Sequence, residues 1–201
     1  MEWMMRRPAK QDHSLPSMRL LVLGESGVGK TLLIQSLCQR PSSQIQPTWG
    51  CLVEVMKYSN RTGSAWIEFV EVGGRSLHPS SILPFFKHFD GLLLVFDSTN
   101  IDTFIKLESY LNLANSYHQT PILLVGTKTD LQSTSFFGQS TFQQHSLYTK
   151  LKSQNHHIVS LSLTQMVNSS NFIPFYDLVL SQLDRNQSRS KIYGSHVLDI
   201  Q

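Results

Sequence analysis

Residues 24–31 of the chain, Gly-Glu-Ser-Gly-Val-Gly-Lys-Thr, match the pattern G-x-x-x-x-G-K-[ST] of a phosphate-binding loop. The largely apolar residues 19–23 before this loop predict a buried parallel strand. Residues 32–38 after it contain no Gly or Pro and predict a helix. A strand, a glycine-rich turn and a helix, in this order, are the setting that the loop requires. A tight turn with incidental glycines is the alternative, but such a turn has no need of Lys30 and Thr31 at the helix start.

The phosphate chemistry of this motif follows from its backbone. The loop N–H groups can point inward and donate to anionic oxygens, and the positive end of the helix dipole adds to that attraction. We expect Lys30 to reach the β- and γ-phosphates and the hydroxyl of Thr31 to ligate Mg²⁺. The predicted phosphate-binding residues are Glu25, Ser26, Gly27, Val28, Gly29, Lys30 and Thr31.

The composition excludes several classes of protein. With 201 residues, 40% of them hydrophobic and 15% charged, the chain can form one well-buried domain. A net charge of +3 is too small and too scattered to indicate a nucleic-acid partner. No apolar stretch approaches the roughly 20 residues of a membrane-spanning helix. Cys38 and Cys51 lie inside predicted elements, which favours buried thiols in a reducing compartment over a disulfide or metal site.

The rest of the chain alternates between predicted strands and predicted helices. Apolar or alternating runs predict strands at residues 51–58, 65–72, 91–96, 121–126 and 157–161. Apolar positions at helical spacing predict helices at residues 101–117, 142–152 and 172–183. This alternation predicts an α/β fold, in which helices cover both faces of a mostly parallel sheet. The right-handed crossovers of such a fold put the 24–31 loop at the carboxyl edge of the sheet.

We predict a single folded domain, which runs from residue 17 to residue 184. Residues 1–16 are expected to form a disordered N-terminal arm, with a short organelle-targeting peptide as the alternative. Their basic start is not followed by an apolar segment, which excludes a secretory signal. Residues 185–201 are expected to form a flexible C-terminal tail. The sequence indicates no internal repeat.

A second motif distinguishes among the classes of nucleotide-binding protein. Thr127-Lys128-Thr129-Asp130 directly follows the predicted strand at 121–126. The carboxylate of Asp130 can accept two N–H bonds from the edge of guanine, which adenine does not offer. The stem of Lys128 can lie on the face of the base. A nucleoside or metabolite kinase is the competing interpretation, but it would need an Arg-rich lid that the chain lacks.

With these residues, the sequence resembles the Ras-type small GTPases, whose base-reading motif is Asn-Lys-x-Asp at this point of the chain. The resemblance is closer to the Rab-like protein three subgroup, in which Thr replaces that Asn. It covers about residues 18–184, with matching segments at 24–30, 37–39, 50–51, 53–55, 72–74 and 126–128, and with Asp130. It implies the three-layer P-loop NTPase fold with a six-stranded, mostly parallel sheet. It also implies a switch that binds GTP and GDP and whose two loops differ between the two states.

Several residues near the expected phosphates depart from that family's pattern. The resemblance implies that Thr31, Thr48 and Glu71 hold Mg²⁺, although Glu71 replaces an Asp and Thr48 comes one residue sooner than usual. It assigns two residues to catalysis: the N–H of Gly74 would sense the γ-phosphate, and Arg75 replaces the Gln that orients the attacking water. Hydrolysis should therefore be slow. Arg75 is either an exposed loop arginine or an arginine finger that acts in cis.

The base end departs from the pattern as well. Thr127 offers a hydroxyl in place of an amide, which should remove bonds between the base loop and the phosphate loop. Residues 40–47, in the first switch, include no aromatic residue to lie against the base. We therefore expect weaker nucleotide affinity and faster exchange than in a typical Ras-type protein. The last guanine contact, a Ser-Ala pair in the family, falls by spacing on a pair near residue 164. The predicted guanine-binding residues are Thr127, Lys128, Asp130, Thr164 and Gln165.

The sequence therefore predicts a small monomeric GTPase, a weak hydrolase acting on GTP, with GTP or GDP and Mg²⁺ as ligands. Protein effectors and regulators would bind through the switch loops, in signalling or trafficking, and a homodimer is left open. The alternative is a pseudo-GTPase, an interaction module that binds nucleotide without significant hydrolysis. Because no cysteine follows Cys51, we expect no prenyl anchor and a cytoplasmic protein.

Overall fold

The computed structural model describes residues 15–40, 46–61, 63–74, 89–115, 120–131, 140–153, 157–163, 167 and 169–195. Its strands are β1 Ser17–Leu23, β2 Cys51–Ser59, β3 Ser64–Val72, β4 Gly91–Asp97, β5 Ile122–Thr127 and β6 His157–Ser160. Its helices are α1 Lys30–Leu37, α2 Ile101–Ile105, α3 Leu107–Asn115, α4 Ser140–Gln144, α5 Ser146–Ser153 and α6 Ile173–Ser195, which follows a 3₁₀ turn at Ser169–Phe172.

The six strands form one sheet in the order β2-β3-β1-β4-β5-β6. β2 pairs antiparallel with β3, as the hairpin pattern predicts, and the other neighbours pair in parallel. The predicted α/β fold with a six-stranded, mostly parallel sheet is therefore confirmed. Parallel pairing brings the carboxyl ends of β1, β3, β4, β5 and β6 to the same edge of the sheet.

Two hydrophobic clusters cover the two faces of the sheet. Side chains of β1 alternate between them, so that Leu20 and Val22 join one cluster while Leu21 and Leu23 join the other. The first cluster includes buried residues of α1 and α6, and the second includes buried residues of α2, α3, α4 and α5. This is the three-layer arrangement that a strand such as β4 requires, because all of its residues, most of them apolar, are buried on both faces of the sheet.

The helices differ from the predicted segments at their breaks and ends. The segment predicted as one helix at 101–117 is divided at Lys106 into α2 and α3, although its apolar positions Phe104, Leu107 and Leu111 are buried as expected. The helix predicted near 142–152 is divided at His145, whose Nδ1 accepts the N–H of Leu147 at 3.2 Å. An apolar stripe continues across such breaks, and for this reason it does not reveal them.

The last helix continues to Ser195, beyond the end predicted at residue 183, so part of the predicted C-terminal tail is helical. A polar network joins this helix to the β2–β3 hairpin: the Tyr58 hydroxyl donates to Asp177 Oδ1 at 2.6 Å, and Asn60 donates to the same carboxylate. Residues 1–14 and 196–201 lie outside the described residues. The domain limits themselves stay a prediction.

The prediction of two buried thiols was wrong for one of them. Cys38 is half-buried at the end of α1, where burial and the nearby Glu54 raise the pKa of its thiol to about 11. Cys51 is exposed, because it begins the edge strand β2. Within the described part of the chain, no helix is both long and apolar enough to cross a bilayer.

Candidate functional site

The turn between β1 and α1 forms the glycine-rich loop that the motif predicts. Gly24, Gly27 and Gly29 have φ angles of 153°, 80° and 96°, a region of backbone conformation that favours glycine. A Cβ on Gly24 would overlap the carbonyl oxygen of Val95 in β4. The loop therefore lies directly on the sheet edge, an approach that only glycine permits at this position.

Lys30, the first residue of α1, folds back across this loop. Its side chain is buried, and its ammonium donates to the carbonyls of Gly24 at 2.8 Å and Glu25 at 2.9 Å. Burial lowers the pKa of Lys30, while the charges of Glu71 and Glu25 act in the opposite direction. The structure thus holds a cation against the loop, where the sequence predicts the phosphates.

Two of the predicted phosphate-binding residues direct their side chains away from the loop interior. The carboxylate of Glu25 lies 3.2 Å from Lys106 Nζ and accepts from the Tyr110 hydroxyl at 3.4 Å. The side chain of Val28 is buried in the first hydrophobic cluster. Only the backbone of these two residues can face a phosphate, which agrees with the backbone role that the motif implies.

The three predicted metal ligands converge on one another. Glu71 Oε1 accepts from the hydroxyls of Thr31 at 2.9 Å and Thr48 at 3.1 Å, and the two hydroxyl oxygens lie 3.1 Å apart. Burial raises the pKa of Glu71, whereas the Thr31 hydrogen bond, the Lys30 charge and the Thr48 hydrogen bond act to lower it. We call these three side chains the oxygen cluster.

The chemistry of the oxygen cluster fits a divalent cation. The second carboxylate oxygen, Glu71 Oε2, is buried and has no hydrogen-bond partner among the described residues. A buried carboxylate oxygen without a partner is costly unless a cation or donor satisfies it. Hydroxyl and carboxylate oxygens are hard ligands of the kind that Mg²⁺ prefers.

The end of β3 joins the loop to the segment that carries Thr48. The N–H of Gly73 donates to the carbonyl of Gly50 at 2.8 Å. A Cβ on Gly73 would overlap the carbonyl of Thr48, and one on Gly74 would overlap the backbone N–H of Ser26. Gly74 therefore packs against the phosphate loop, whereas Arg75 lies outside the described residues.

The hydroxyl of Thr127 does tie the base end to the phosphate loop. Thr127 is fully buried, and its Oγ1 donates to the carbonyl of Val28 at 2.7 Å and lies 3.0 Å from that of Phe96. The expectation that Thr in place of an amide loses this connection was wrong, because β5 ends close enough to the loop for a short hydroxyl to reach it. This removes one reason for expecting weak nucleotide affinity.

Lys128 and Asp130, which were also predicted to bind the base, lie at the same end of the site as Thr127. Lys128 donates to Asp97 Oδ2 at 2.6 Å, and Asp130 Oδ1 accepts from the Ser162 hydroxyl at 2.8 Å. Thr164 and Gln165 lie outside the described residues.

Two residues at this end, Ser162 and Leu163, are not among the predicted site residues. They follow Leu161, the first residue after β6, and Leu163 Cδ1 would lie 2.6 Å from a Cβ on Gly29. The sequence feature that could have identified them is Ser162, which comes directly after the strand predicted at 157–161. Spacing measured back from the last helix instead favoured the pair Thr164 and Gln165.

A single cavity of about 620 Å³ connects the two ends of the site. Lys30, Thr31 and Glu71 line one end of this cavity, and Lys128 and Asp130 line the other. The remaining lining residues are Ser26, Gly27, Gly29, Leu32, Gln46, Pro47, Thr48, Gly74, Leu131 and Leu163. The structure thus brings the two sequence motifs together, and their roles toward a ligand stay predictions.

Comparison with known proteins identifies the class of protein. The model of the Ras family matches residues 19–179, most of the chain, so the chain belongs to this family of small GTPases. It is 30% identical over 138 residues to Ras-related protein Rab-17 of Mus musculus, which covers 67% of this chain and 63% of that relative.

The chain is also similar to Rab-like proteins. It is 38% identical over 100 residues to Rab-like protein 3 of Danio rerio, with 43% of this chain and 42% of the relative covered. The match to Rab-like protein 3 of Xenopus tropicalis is also 38% identical over 100 residues, covering 43% and 41%. The motif-based resemblance is confirmed. The chain spans less than two thirds of the length of these relatives.

Proposed function

We propose that this chain is a molecular switch that binds GTP and GDP together with Mg²⁺. The observation that carries the proposal is the cavity that joins the phosphate loop and the oxygen cluster to Lys128 and Asp130. A phosphate-binding loop alone would suit many nucleotides, and a carboxylate alone would suit many bases. One connected cavity with both at its ends suits a guanine nucleotide.

At the phosphate end, Lys30 would bind the β- and γ-phosphates, and the loop N–H groups would donate to their oxygens. The N–H of Gly74 would approach the γ-phosphate, because Gly74 packs on Ser26. Thr31, Thr48 and Glu71 would hold Mg²⁺, which supplies positive charge to the phosphate oxygens when it is bound. Loss of the γ-phosphate would release the segments that carry Thr48 and Gly74. We propose that effectors and regulators bind to these two segments.

At the base end, Asp130 would accept hydrogen bonds from the N–H groups of guanine. The Ser162 hydroxyl already donates to Oδ1 of the Asp130 carboxylate, and this hydrogen bond orients the carboxylate. We propose that Ser162 and Leu163 belong to the segment that makes the last guanine contact. The cytoplasmic location expected from the sequence stays part of this proposal.

Hydrolysis of GTP would be slow, because Arg75 stands where the family has the Gln that orients water. A nucleotide-binding module without significant hydrolysis is the second candidate. The presence of Arg75 in place of that Gln favours it as well. The two candidates share the binding site and differ only in turnover.

A titration of fluorescent GTP, GDP and ATP analogues with Mg²⁺ tests the binding proposal. We expect the wild-type chain to prefer guanine nucleotides, the Lys30→Ala variant to lose affinity for GTP and GDP, and Asp130→Ala to lose the preference over ATP. Lys57→Ala is the matched control, since Lys57 is an exposed lysine of β2 near the hairpin end. Equal binding of ATP and GTP, or no binding at all, would contradict the proposal.

A single-turnover phosphate-release assay separates the two candidates. We expect slow release from GTP-loaded wild type and faster release from Arg75→Gln, because Gln can orient the attacking water. No release from either protein, with binding intact, would favour the module without turnover.

A further inference from the structure

Lys128 is held in a conformation that most residues avoid. It directly follows β5, and its φ of 59° lies in the left-handed region, where a side chain is strained. Its ammonium lies 2.6 Å from Asp97 Oδ2. Asp97 is the last residue of the neighbouring strand β4, where it is paired in register with Thr127. The backbone of Lys128 is thus held at the end of β5, and its ammonium is held by Asp97 at the end of β4.

Asp97 is itself held by several hydrogen bonds. Its Oδ1 accepts from the N–H of Thr99 at 2.9 Å and from the Thr99 hydroxyl at 2.7 Å, and its own N–H donates to Thr103 Oγ1 at 2.9 Å. Burial acts to raise the pKa of Asp97, but hydrogen bonds from Lys128 and Thr99 outweigh it and lower that pKa below its usual range. Asp97 is therefore ionised at neutral pH, and both of its oxygens have partners.

The anchored lysine forms part of the cavity wall. Lys128 lines the cavity beside Asp130, while Asp97 is not among the lining residues. Because the ammonium is held by Asp97, the methylene stem of Lys128 is the part available to a base. A purine whose edge reaches Asp130 would meet this stem.

We propose that Asp97 is a positioning residue for the base site, because it orders the Lys128 stem before a nucleotide arrives. This inference rests on the proposed function. An unanchored lysine has many rotamers, and binding a base against it would require that freedom to be lost. The anchor should therefore improve guanine-nucleotide affinity about tenfold.

The test is a double-mutant cycle on nucleotide affinity. Asp97→Asn keeps an oxygen for Thr99 and removes the charge that binds Lys128. We expect it to lower the affinities for GDP and GTP by the same factor of about ten, since the two ligands share the base. In a Lys128→Ala background, Asp97→Asn should have no further effect, because the side chain that it positions is gone. Asp102→Asn, an exposed aspartate of α2, is the control and should leave both affinities unchanged.

Lys128→Met provides an independent measurement if Asp97→Asn fails to fold, since it keeps an apolar stem and removes only the head. We expect it to lose affinity as Asp97→Asn does. Unchanged GDP affinity in a folded Asp97→Asn or Lys128→Met protein would overturn the inference, as would an undiminished effect of Asp97→Asn in the Lys128→Ala background. If the wild-type chain binds guanine nucleotides in those cases, the proposed function survives. If the wild type binds none, both proposals fail.

Discussion

The hydroxyl of Thr127 joins two parts of the molecule that are distant in sequence. It is fully buried and donates to the carbonyl of Val28 in the phosphate loop, beside that of Phe96 in β4. A buried hydroxyl stabilises a fold only when it is hydrogen-bonded, because its transfer from water is unfavourable. At the residue scale, this one bond connects the base end of the site to the phosphate end.

Replacing Thr127 with Val tests that connection, because Val has nearly the same shape and no hydroxyl. We expect the free energy of unfolding to fall by about 1–2 kcal/mol, since the buried hydrogen bond to the carbonyl of Val28 is lost. We also expect bound GDP to dissociate faster. Urea denaturation and release of a fluorescent GDP analogue measure the two effects. Thr149→Val is the control, because the Thr149 hydroxyl bonds the carbonyl of His145 at an exposed position of α5. Equal stability of the two variants would show that the buried bond contributes little.

At the scale of elements, the loop between β1 and α1 uses its glycines in two different ways. Gly24 needs glycine because a Cβ would overlap the backbone of β4. Gly27 has a positive φ of 80° but open space around the position of a Cβ. Gly24, whose φ is 153°, therefore meets a packing requirement in addition to a conformational one, whereas Gly27 meets a requirement of backbone conformation alone.

Substituting Ala at each position isolates the packing requirement, because both glycines have a positive φ and only Gly24 lies against the backbone of β4. Gly24→Ala should lower the free energy of unfolding by about 3 kcal/mol, because the β4 carbonyl cannot move out of the sheet. Gly27→Ala should lower it by only about 1 kcal/mol, the strain of a left-handed alanine. Chemical denaturation of the two variants measures the difference. A smaller loss for Gly24→Ala than for Gly27→Ala would contradict the close approach of loop and sheet.

At the scale of the whole molecule, the cavity is built from segments that lie far apart in the chain. Lys30, which follows β1, Thr48, which precedes β2, Glu71, near the end of β3, and Asp130, which follows β5, all line it. A ligand that bridges these segments binds only the folded chain. Ligand binding should therefore stabilise the whole fold.

With GDP and Mg²⁺ at about 100 times the dissociation constant, the free energy of unfolding should rise by about 2.7 kcal/mol. Chelation of Mg²⁺ with EDTA should reverse part of this gain, because Thr31, Thr48 and Glu71 would then lose their shared cation. Thermal unfolding with and without each ligand measures both steps. Thr31→Val should respond to GDP and be nearly insensitive to EDTA. A melting temperature that does not depend on GDP would count against the proposed site.

The two site motifs were predictable because each is local in sequence. Residues 24–31 follow a strand and precede a helix, and Thr127–Asp130 follow another apolar strand. The side chains that support them were not predicted: Asp97 beside Lys128, Ser162 beside Asp130, and Glu25 directed toward Lys106. Each of these contacts joins residues far apart in the chain, so no short pattern contains it.

The sequence by itself determined the order of strands and helices, the antiparallel hairpin and the two motifs, because these follow from hydrophobic periodicity and from turn chemistry within a few neighbouring residues. Only the tertiary structure decided which side chains meet at the sheet edge. It set the reach of the Thr127 hydroxyl, the convergence of the oxygen cluster and the anchoring of Lys128. The physical reason is that these contacts depend on strand order and register, which align the ends of β1, β3, β4 and β5 within the length of a side chain.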